Sequence, residues 1–308
     1  MEIKEIEAEN FGRCVRITNG IIECVVTIEF GPRMIRFGFC GGENVFFTDP
    51  ARNYAFRSEE MTDRFGKSAV FYLYGGHRLR VSPESFPCAV YPDNSPVIYS
   101  VTQEGVSFTP PKPRQAEIEL SFEVILADGA TDMMVVHNAK NDSRERLTCG
   151  LCPATLLKGG GAAVLPQNPG GDPHRPNRSL TFWPGTDVRD RRIVYGNRYL
   201  TVRHEPGNEA PLRLGFNDVP GWAAYSAGGT VFAKRFLHNS QAAYPDFGSS
   251  CEARLTGGFA EIASLSPIFR IEPGEGIKHV ENFSLFRLSE APDLSSEEGI
   301  DAFAKLLE

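Results

Sequence analysis

Short runs of strand-forming residues, separated by turn residues, extend along almost the whole sequence. Residues 14–18 and 21–28 form two such runs, and only Asn19 and Gly20 lie between them. An Asn-Gly pair in this position is a strong hairpin signal, because both residues accept positive φ angles. The sequence therefore predicts an antiparallel hairpin at this point.

A second hairpin is predicted further along the chain. Segment 116–125 alternates polar and apolar residues in its first half, and a turn at 128–130 allows it to pair with 132–137. Further runs of the same kind predict strands at 34–39, 199–203, 221–226, 230–236, 253–255, 259–265 and 276–286. The chain is thus expected to be an all-β protein.

A helix is expected near the C-terminus. Ser295 and Glu298 match a capping box, and Ile300 and Phe303 begin an apolar stripe, so the helix should cover about 295–307. The sequence shows no internal repeat, no βαβ rhythm and no linker, and its 30 glycines and 22 prolines are too many for a helical bundle. We expect residues 1–308 to form one large antiparallel sandwich domain.

Charge and composition limit the classes of partner. The 32 Lys and Arg residues against 39 Asp and Glu residues give a net charge of −7, which disfavours nucleic acid and anionic membranes. No apolar run approaches the roughly 18 residues of a membrane span, and the charged start lacks a signal-peptide pattern. A cytoplasmic protein is expected.

Cysteine usage agrees with a reducing compartment. Seven cysteines is an odd number, and most have apolar neighbours, which favours free thiols over a disulfide framework. Cys149 and Cys152 form a single Cys-x-x-Cys pair without the second pair that a zinc site needs. We interpret this pair as structural and expect no metal site.

The densest polar cluster lies at residues 75–84. Two glycines precede His77 and Arg78, and Arg80 and Glu84 follow shortly after. Glycine permits close approach of a ligand to the backbone, imidazole transfers protons near neutral pH, and guanidinium binds hydroxyls or a carboxylate. The alternative is a surface turn with solvated charges.

Three further clusters contain candidate ligand-binding residues. Trp183 with Asp187 could offer a sugar a stacking face and a hydroxyl acceptor, although a lone Trp is more often a core residue. Lys234 and Arg235 are adjacent in a predicted strand, so at most one of them faces a site. Glu252 follows in the next polar segment and is included as a binding candidate.

Glu261 is the candidate base. It shares a strand face with Phe259 and Ala263, opposite Ala260 and Ile262. A carboxylate in such an apolar strand either pairs with a cation or has a raised pKa. A salt-bridged structural role and a functional role are both open.

Taken in order, these segments resemble the galactose mutarotase-like (aldose 1-epimerase) superfamily, in an uncharacterised bacterial branch. The resemblance covers roughly residues 19–288 and rests on short motifs in a particular order. They include Phe30-Gly31-Pro32-Arg33, Gly75-Gly76-His77-Arg78, Trp183-Pro184, Gly221-Trp222, Lys234-Arg235-Phe236, Tyr244-Pro245-Asp246-Phe247-Gly248 and Leu265-Ser266-Pro267.

The resemblance implies a β-supersandwich of large antiparallel sheets, with a sugar-sized cleft on the concave sheet and no metal or organic cofactor. In mutarotases a strand carboxylate takes the anomeric proton while an imidazole protonates the ring oxygen. Glu261 lies in the strand of the base, with Ala263 as the alternative position if the register differs. The segment that holds the acid His is here residues 149–154, which contain no His.

Three functions follow as hypotheses. The first is a sugar epimerase-like catalyst, with His77 as the replacement acid, Glu261 as the base, and binding by Arg78, Glu84, Trp183, Asp187, Lys234 and Glu252. The second is a non-catalytic carbohydrate-binding protein that has lost the acid. The third is a lyase whose Arg78, Arg80 and Lys234 hold an acidic sugar. In each case the partner is a small carbohydrate and the protein is a monomer or weak homodimer.

Overall fold

A computed structural model describes residues 1–111, 118–168 and 170–307. The described part contains 23 strands and three α-helices, numbered in chain order. The strands are β1 Glu2–Ala8, β2 Gly12–Thr18, β3 Ile22–Thr27, β4 Met34–Phe39, β5 Ala55–Phe56, β6 Phe71–Tyr72, β7 His77–Ser82, β8 Ile98–Val101, β9 Val106–Thr109, β10 Ile118–Leu126, β11 Asp132–Asn141, β12 Leu147–Lys158, β13 Ala162–Pro166, β14 Leu180–Phe182, β15 Ile193–Tyr195, β16 Tyr199–Arg203, β17 Leu212–Phe216, β18 Trp222–Ala227, β19 Thr230–Phe236, β20 Cys251–Leu255, β21 Phe259–Ser264, β22 Phe269–Ile271 and β23 Gly276–Arg287. The helices are α1 Glu59–Phe65, α2 Pro245–Gly248 and α3 Glu297–Ala304.

Two large antiparallel sheets contain almost all of these strands. The front sheet has 11 strands in the order β1-β2-β3-β4-β7-β12-β21-β20-β17-β14, with β22 also paired to β12. The back sheet has ten strands in the order β15-β16-β13-β18-β19-β23-β11-β10-β9-β8. Strands β5 and β6 form a separate two-stranded sheet. The all-β class and the β-sandwich predicted from the sequence are confirmed.

Both predicted hairpins are present. Strands β2 and β3 pair across Asn19-Gly20, where Gly20 has a φ of 87° and the Asn19 side chain accepts bonds from the amides of Ile21 and Ile22. Asn19 thus caps the turn with its side chain and does not adopt a positive φ. Strands β10 and β11 pair in the register Leu126↔Met133, and residues 116 and 117 of the predicted strand lie outside the described residues.

The main hydrophobic core lies between the two sheets. Alternating residues of each strand point inward. The ring of Phe37 from the front sheet, for example, contacts the rings of Phe232 and Phe283 from the back sheet. Burial of such aromatic side chains is the largest favourable contribution to holding two sheets together.

The C-terminal helix covers the outer face of the back sheet. Ile300 and Phe303 pack against Val164 and Ala233 on that face, as the apolar stripe predicted. The helix begins at Glu297, because Ser296, one residue after the predicted cap Ser295, accepts a bond from the amide of Gly299.

Strand β7 is only partly paired on one side. On one edge it pairs with β12 over residues 77–82, whereas on the other it meets β4 only at Met34↔His77. The remainder of that second edge is therefore free of a neighbouring strand in the described part of the chain.

All seven cysteines are free, and no helix of the described residues is long and apolar enough to cross a membrane.

Candidate functional site

A network of ion pairs covers the outer face of the front sheet. Its members are Arg80, Glu84, Arg213, Glu252 and Glu261, which come from β7, the loop after it, β17, β20 and β21. The strand register places these side chains on one face, because residues paired across neighbouring strands point the same way and successive residues alternate. Groups far apart in the sequence thus meet at the centre of the sheet.

Two arginines bridge the three carboxylates. Arg80 lies 2.8 Å from Glu261 through Nη2 and Oε1, and 2.8 Å from Glu84 through Nη1 and Oε1. The Nη2 atom of Arg213 lies 3.0 Å from Oε2 of Glu84 and 2.7 Å from Oε2 of Glu252. Charges therefore alternate along the network.

The two strand carboxyl groups have opposite shifts in pKa. Burial opposes ionisation of Glu261, but Arg80 and Arg254 outweigh it and lower its pKa to about 2. Burial raises the pKa of Glu252 to about 7 despite the Arg213 contact. The Oε1 atom of Glu252 is buried and has no hydrogen-bond partner among the described residues. One carboxylate is held ionised, while the other can carry a proton near neutral pH.

Trp183, which the sequence analysis proposed as a stacking face for a sugar, borders this network. The Arg213 guanidinium stacks on the indole at 4.2 Å from the ring centroid, and the loop that begins at Trp183 is held to the Arg213 backbone through Thr186 Oγ1. Asp187 lies in the same loop but is exposed, and its carboxylate accepts bonds from Arg189. No described contact joins Asp187 to the network.

Arg213 is a residue that the sequence analysis missed. A usable signal was present, because Leu212-Arg213-Leu214 alternates and places the guanidinium opposite two core residues. Isolated basic residues in strands are common, so the pattern alone does not distinguish a site from a solvated face. Its partners come from β20 and the loop after β7, which only the fold identifies.

The predicted pairing of His77 with Glu261 across one sugar is wrong. His77 is fully buried between the sheets, where its ring contacts Phe122 and Phe283 of the back sheet. Thr155 of β12 pairs with His77 on one side and with Ile262 of β21 on the other, so these three residues share a face of the front sheet. Glu261, which precedes Ile262, therefore points to the opposite face from His77. The physical reason is the two-residue period of a strand, which gives His77 the same face as the core residue Leu79.

Lys234 also lies between the sheets and not in the predicted cleft. Its ammonium is 2.7 Å from Oε1 of Glu281 and donates to the carbonyl of Ile262 at 3.3 Å. Ser264 donates to the same carboxylate at 2.7 Å, and His137 Nε2 lies 3.1 Å from its other oxygen. We call Lys234, Glu281, Ser264 and the histidines 77, 137 and 279 the interior cluster.

The interior cluster contains the one described group of side chains with the geometry of a metal site. One ligand atom from each of His77, His137 and Glu281 lies within 4.8 Å of the others. The ammonium of Lys234 already lies 2.7 Å from the Glu281 carboxylate, and its positive charge would repel a divalent cation bound to the same group. The residues therefore suit an internal ion pair better than a metal.

Arg78 lies on the same face as Arg80 but outside the network. Its guanidinium packs against the ring of Phe71 at 5.1 Å and forms no hydrogen bond or ion pair with the described residues. Of the predicted site residues, the structure thus brings together Glu84, Glu252, Glu261 and Trp183. Arg78 lies beside them.

Comparison with known proteins identifies the fold. A proposed aldose 1-epimerase from Klebsiella pneumoniae superposes with a TM-score of 0.60 at 10% identity, over 99% of this chain and 86% of the other. A proposed aldose 1-epimerase from Escherichia coli K12 gives 0.53 at 11% identity, over 89% and 98%. The expected galactose mutarotase-like fold is confirmed at the level of architecture.

A further match has a different domain composition. This chain covers 50% of a TPR-domain containing protein from Parabacteroides distasonis, with a TM-score of 0.58, 15% identity and 92% of this chain aligned. The chain thus spans about half the length of that protein. No family model matches the sequence, and no curated protein matches it either.

Proposed function

We propose that this protein binds a free sugar or sugar acid on the outer face of the front sheet and interconverts its anomers by acid–base catalysis. The observation that carries the proposal is the pair of carboxyl groups at Glu252 and Glu261. They share one sheet face and differ in pKa, at about 7 and about 2. Groups on one site with separated pKa values are the usual arrangement for an acid and a base.

The chemistry divides between the two carboxyl groups. The ionised Glu261 accepts the proton of the anomeric hydroxyl, and the protonated Glu252 donates its proton to the ring oxygen as the C1–O bond breaks. The open-chain aldehyde then rotates about the bond beside C1. When the ring closes, the attacking hydroxyl returns its proton to Glu252, and Glu261 donates its proton to the new anomeric oxygen. Both carboxyl groups thus recover their starting states.

The unpartnered oxygen of Glu252 supports its role as the acid. A buried carboxyl oxygen without a hydrogen-bond partner is uncommon in folded proteins, and a ligand oxygen would satisfy it. Trp183 supplies an aromatic surface at the border of the site for the apolar face of the sugar. Glu252 takes the place that the sequence analysis assigned to His77.

A second candidate, a carbohydrate-binding protein without catalysis, is favoured by a different observation. Glu261 forms a 2.8 Å ion pair with Arg80, and its pKa of about 2 makes it a weak base. In this case the network serves only to position sugar hydroxyls. The two candidates share the ligand and the site but differ in turnover.

The test is an NMR anomer-exchange assay over a panel of aldoses and uronic acids, run beside a ligand-induced thermal shift. We expect accelerated exchange that falls as the pH rises through about 7, where Glu252 loses its proton. Glu252→Gln should reduce the rate about 100-fold or more, with the thermal shift retained.

The matched control is Glu272→Gln, which alters an exposed ion pair with Arg146 and should leave the rate unchanged. A thermal shift without any exchange in the native protein would select the non-catalytic candidate. Full activity in Glu252→Gln would exclude Glu252 as the acid.

A further inference from the structure

A cavity adjoins the ion-pair network at the free edge of β7. This cavity has a volume of about 500 Å³ and lies beside Arg78, Arg80, Arg33, Arg64 and Asp93. The volume falls within the range of about 300–1,000 Å³ that is typical of small-molecule sites. Residues from both faces of β7 line it, because β4 covers only the first residue of that edge.

Two of the four arginines that line the cavity have carboxylate partners. Arg33 forms a two-pronged ion pair with Asp93, in which Nη2 lies 2.8 Å from Oδ1 and Nη1 contacts Oδ2. Arg80 binds Glu84 and Glu261. Arg64 is exposed to solvent at the end of α1. Arg33 and Arg80 thus have carboxylate partners, and Arg64, which has none among the described residues, keeps its hydration because it is exposed.

Arg78 is the exception. Only 9% of the residue is exposed, and its Nε atom is buried without a hydrogen-bond partner. No carboxylate pairs with it among the described residues, and its guanidinium rests on the Phe71 ring. A buried guanidinium without an anion is costly because it has lost its hydration and gained no counter-charge.

We propose that this cavity binds the carboxylate of a sugar acid through Arg78. The guanidinium offers parallel N–H groups that match the two oxygens of a carboxylate. Arg78 is the one buried arginine of this lining without an ion-pair partner among the described residues, and a single buried cation favours a monocarboxylate over a phosphate dianion. Burial lowers the pKa of Arg78 to about 9, which agrees with a buried guanidinium that has no ion-pair partner among the described residues.

The position of the cavity connects it with the proposed sugar site. Arg80 lines the cavity and also belongs to the network that contains Glu261. A uronic acid can therefore place its carboxylate against Arg78 and its ring over Arg80 and the carboxyl groups. The inference rests on the proposed function, which it deepens by naming the acidic member of the substrate class.

The test compares matched ligands by titration calorimetry. The probes are D-glucuronate and D-galacturonate against D-glucose and D-galactose, with D-glucose 6-phosphate as the phosphate arm. We expect the native protein to bind each uronate at least tenfold more tightly than its aldose. Arg78→Met should abolish this preference, whereas Arg191→Met, which removes an exposed arginine, should retain it.

Two further measurements test the proposal even if Arg78→Met fails to fold. Arg78→Lys keeps the charge but not the parallel N–H groups, so it should retain a preference of a few-fold. In the native protein, raising NaCl from about 50 to 500 mM should weaken uronate binding at least threefold and leave aldose binding unchanged.

The outcomes separate the two proposals. Equal affinity for uronates and aldoses, or a uronate preference that survives in Arg78→Met, overturns the Arg78 assignment, while accelerated anomer exchange would still support the proposed function. A stronger Arg78-dependent preference for the phosphate ester overturns the choice of a carboxylate. Failure of every sugar to bind or to exchange overturns both.

Discussion

A group of charged side chains lies on each side of the front sheet, and the two groups are organised differently. In the interior cluster, Lys234, Ser264 and His137 all converge on the single carboxylate of Glu281. On the outer face, two arginines alternate with three carboxylates along four segments of one sheet. Similar residue types thus form a closed centre on one side and an extended network on the other.

The two groups differ in their access to a ligand, because the interior cluster is buried between the sheets whereas the outer network borders a cavity. The interior cluster joins the two sheets, because Lys234 and Glu281 belong to the back sheet while Ser264 and His77 belong to the front. Its ionisable groups therefore stabilise the sandwich. The outer network retains a protonatable Glu252 oxygen and borders a cavity with a free cation, which are features of a ligand site.

The largest expected effect is on the interior. Glu281→Gln leaves the Lys234 ammonium buried without a counter-charge, and should lower the free energy of unfolding by about 3–5 kcal/mol. Glu261→Gln should lower it by only about 1–2 kcal/mol, because Arg80 keeps Glu84 as a partner. Urea denaturation of both variants measures the difference.

The double variant Lys234→Met with Glu281→Gln is the control for this interpretation. Removing the unpaired ammonium should recover about 2 kcal/mol of the loss. If the double variant is no more stable than Glu281→Gln, or if the two single carboxylate variants are equally stable, the contrast between the faces is wrong.

The pH dependence of stability should have opposite signs in the two regions. Burial lowers the pKa of His279 to about 4, so folding binds fewer protons there and His279 adds stability as pH rises from about 4 to its ordinary value of 6.5. Glu252 has a raised folded pKa of about 7, so its contribution falls as pH rises from 4.5 towards 7.

Two variants isolate these slopes. Relative to the native protein, Glu252→Gln should gain stability as pH rises from 4.5 to 7, and His279→Gln should lose it from 4 to 6.5. The change in each case is at most about 3.5 kcal/mol, since each pKa differs by about 2.5 units between the folded and unfolded states and one unit corresponds to about 1.4 kcal/mol. Denaturation curves across this range provide the measurement, and slopes of the same sign in both variants would contradict the assignment.

The smallest expected effect is at the border of the outer network. Trp183→Ala removes a half-buried indole that stacks on Arg213, and should weaken sugar binding by about 1 kcal/mol, with little change in stability. Trp222 packs on the opposite side of the molecule beneath the C-terminal helix. Trp222→Ala should therefore reduce the melting temperature but leave sugar affinity unchanged, and the reverse result would place the site elsewhere.

Part of the candidate site was predictable from local pattern. The alternation around Glu261 placed it opposite Ile262, and the structure has this arrangement. The same rule applied to His77 would have placed it with Leu79 and Val81 on the apolar face, away from Arg78 and Arg80. The glycines before His77 suggested close approach of a ligand, but the space beside them is filled by backbone, that of Phe47 at Gly75 and that of Met34 at Gly76.

Other parts were not accessible from the sequence. Lys234 and Arg235 are adjacent, and nothing in their local pattern shows which one faces the core. The answer depends on Glu281, which lies 47 positions away and supplies the counter-charge that makes burial of Lys234 tolerable. Arg213 acquires its role in the same way, from carboxylates that the fold brings to it.

Local signals predicted 11 of the 23 described strands, both hairpins and the C-terminal helix, because turn residues and side-chain periodicity act over a few neighbouring positions. Which strands lie side by side, and which of their faces is buried, depends on the fold as a whole. Arg80 and Glu261 are 181 positions apart and meet because β12 pairs with both of their strands. Such pairings are set by burial of the whole sheet, and no local signal encodes them.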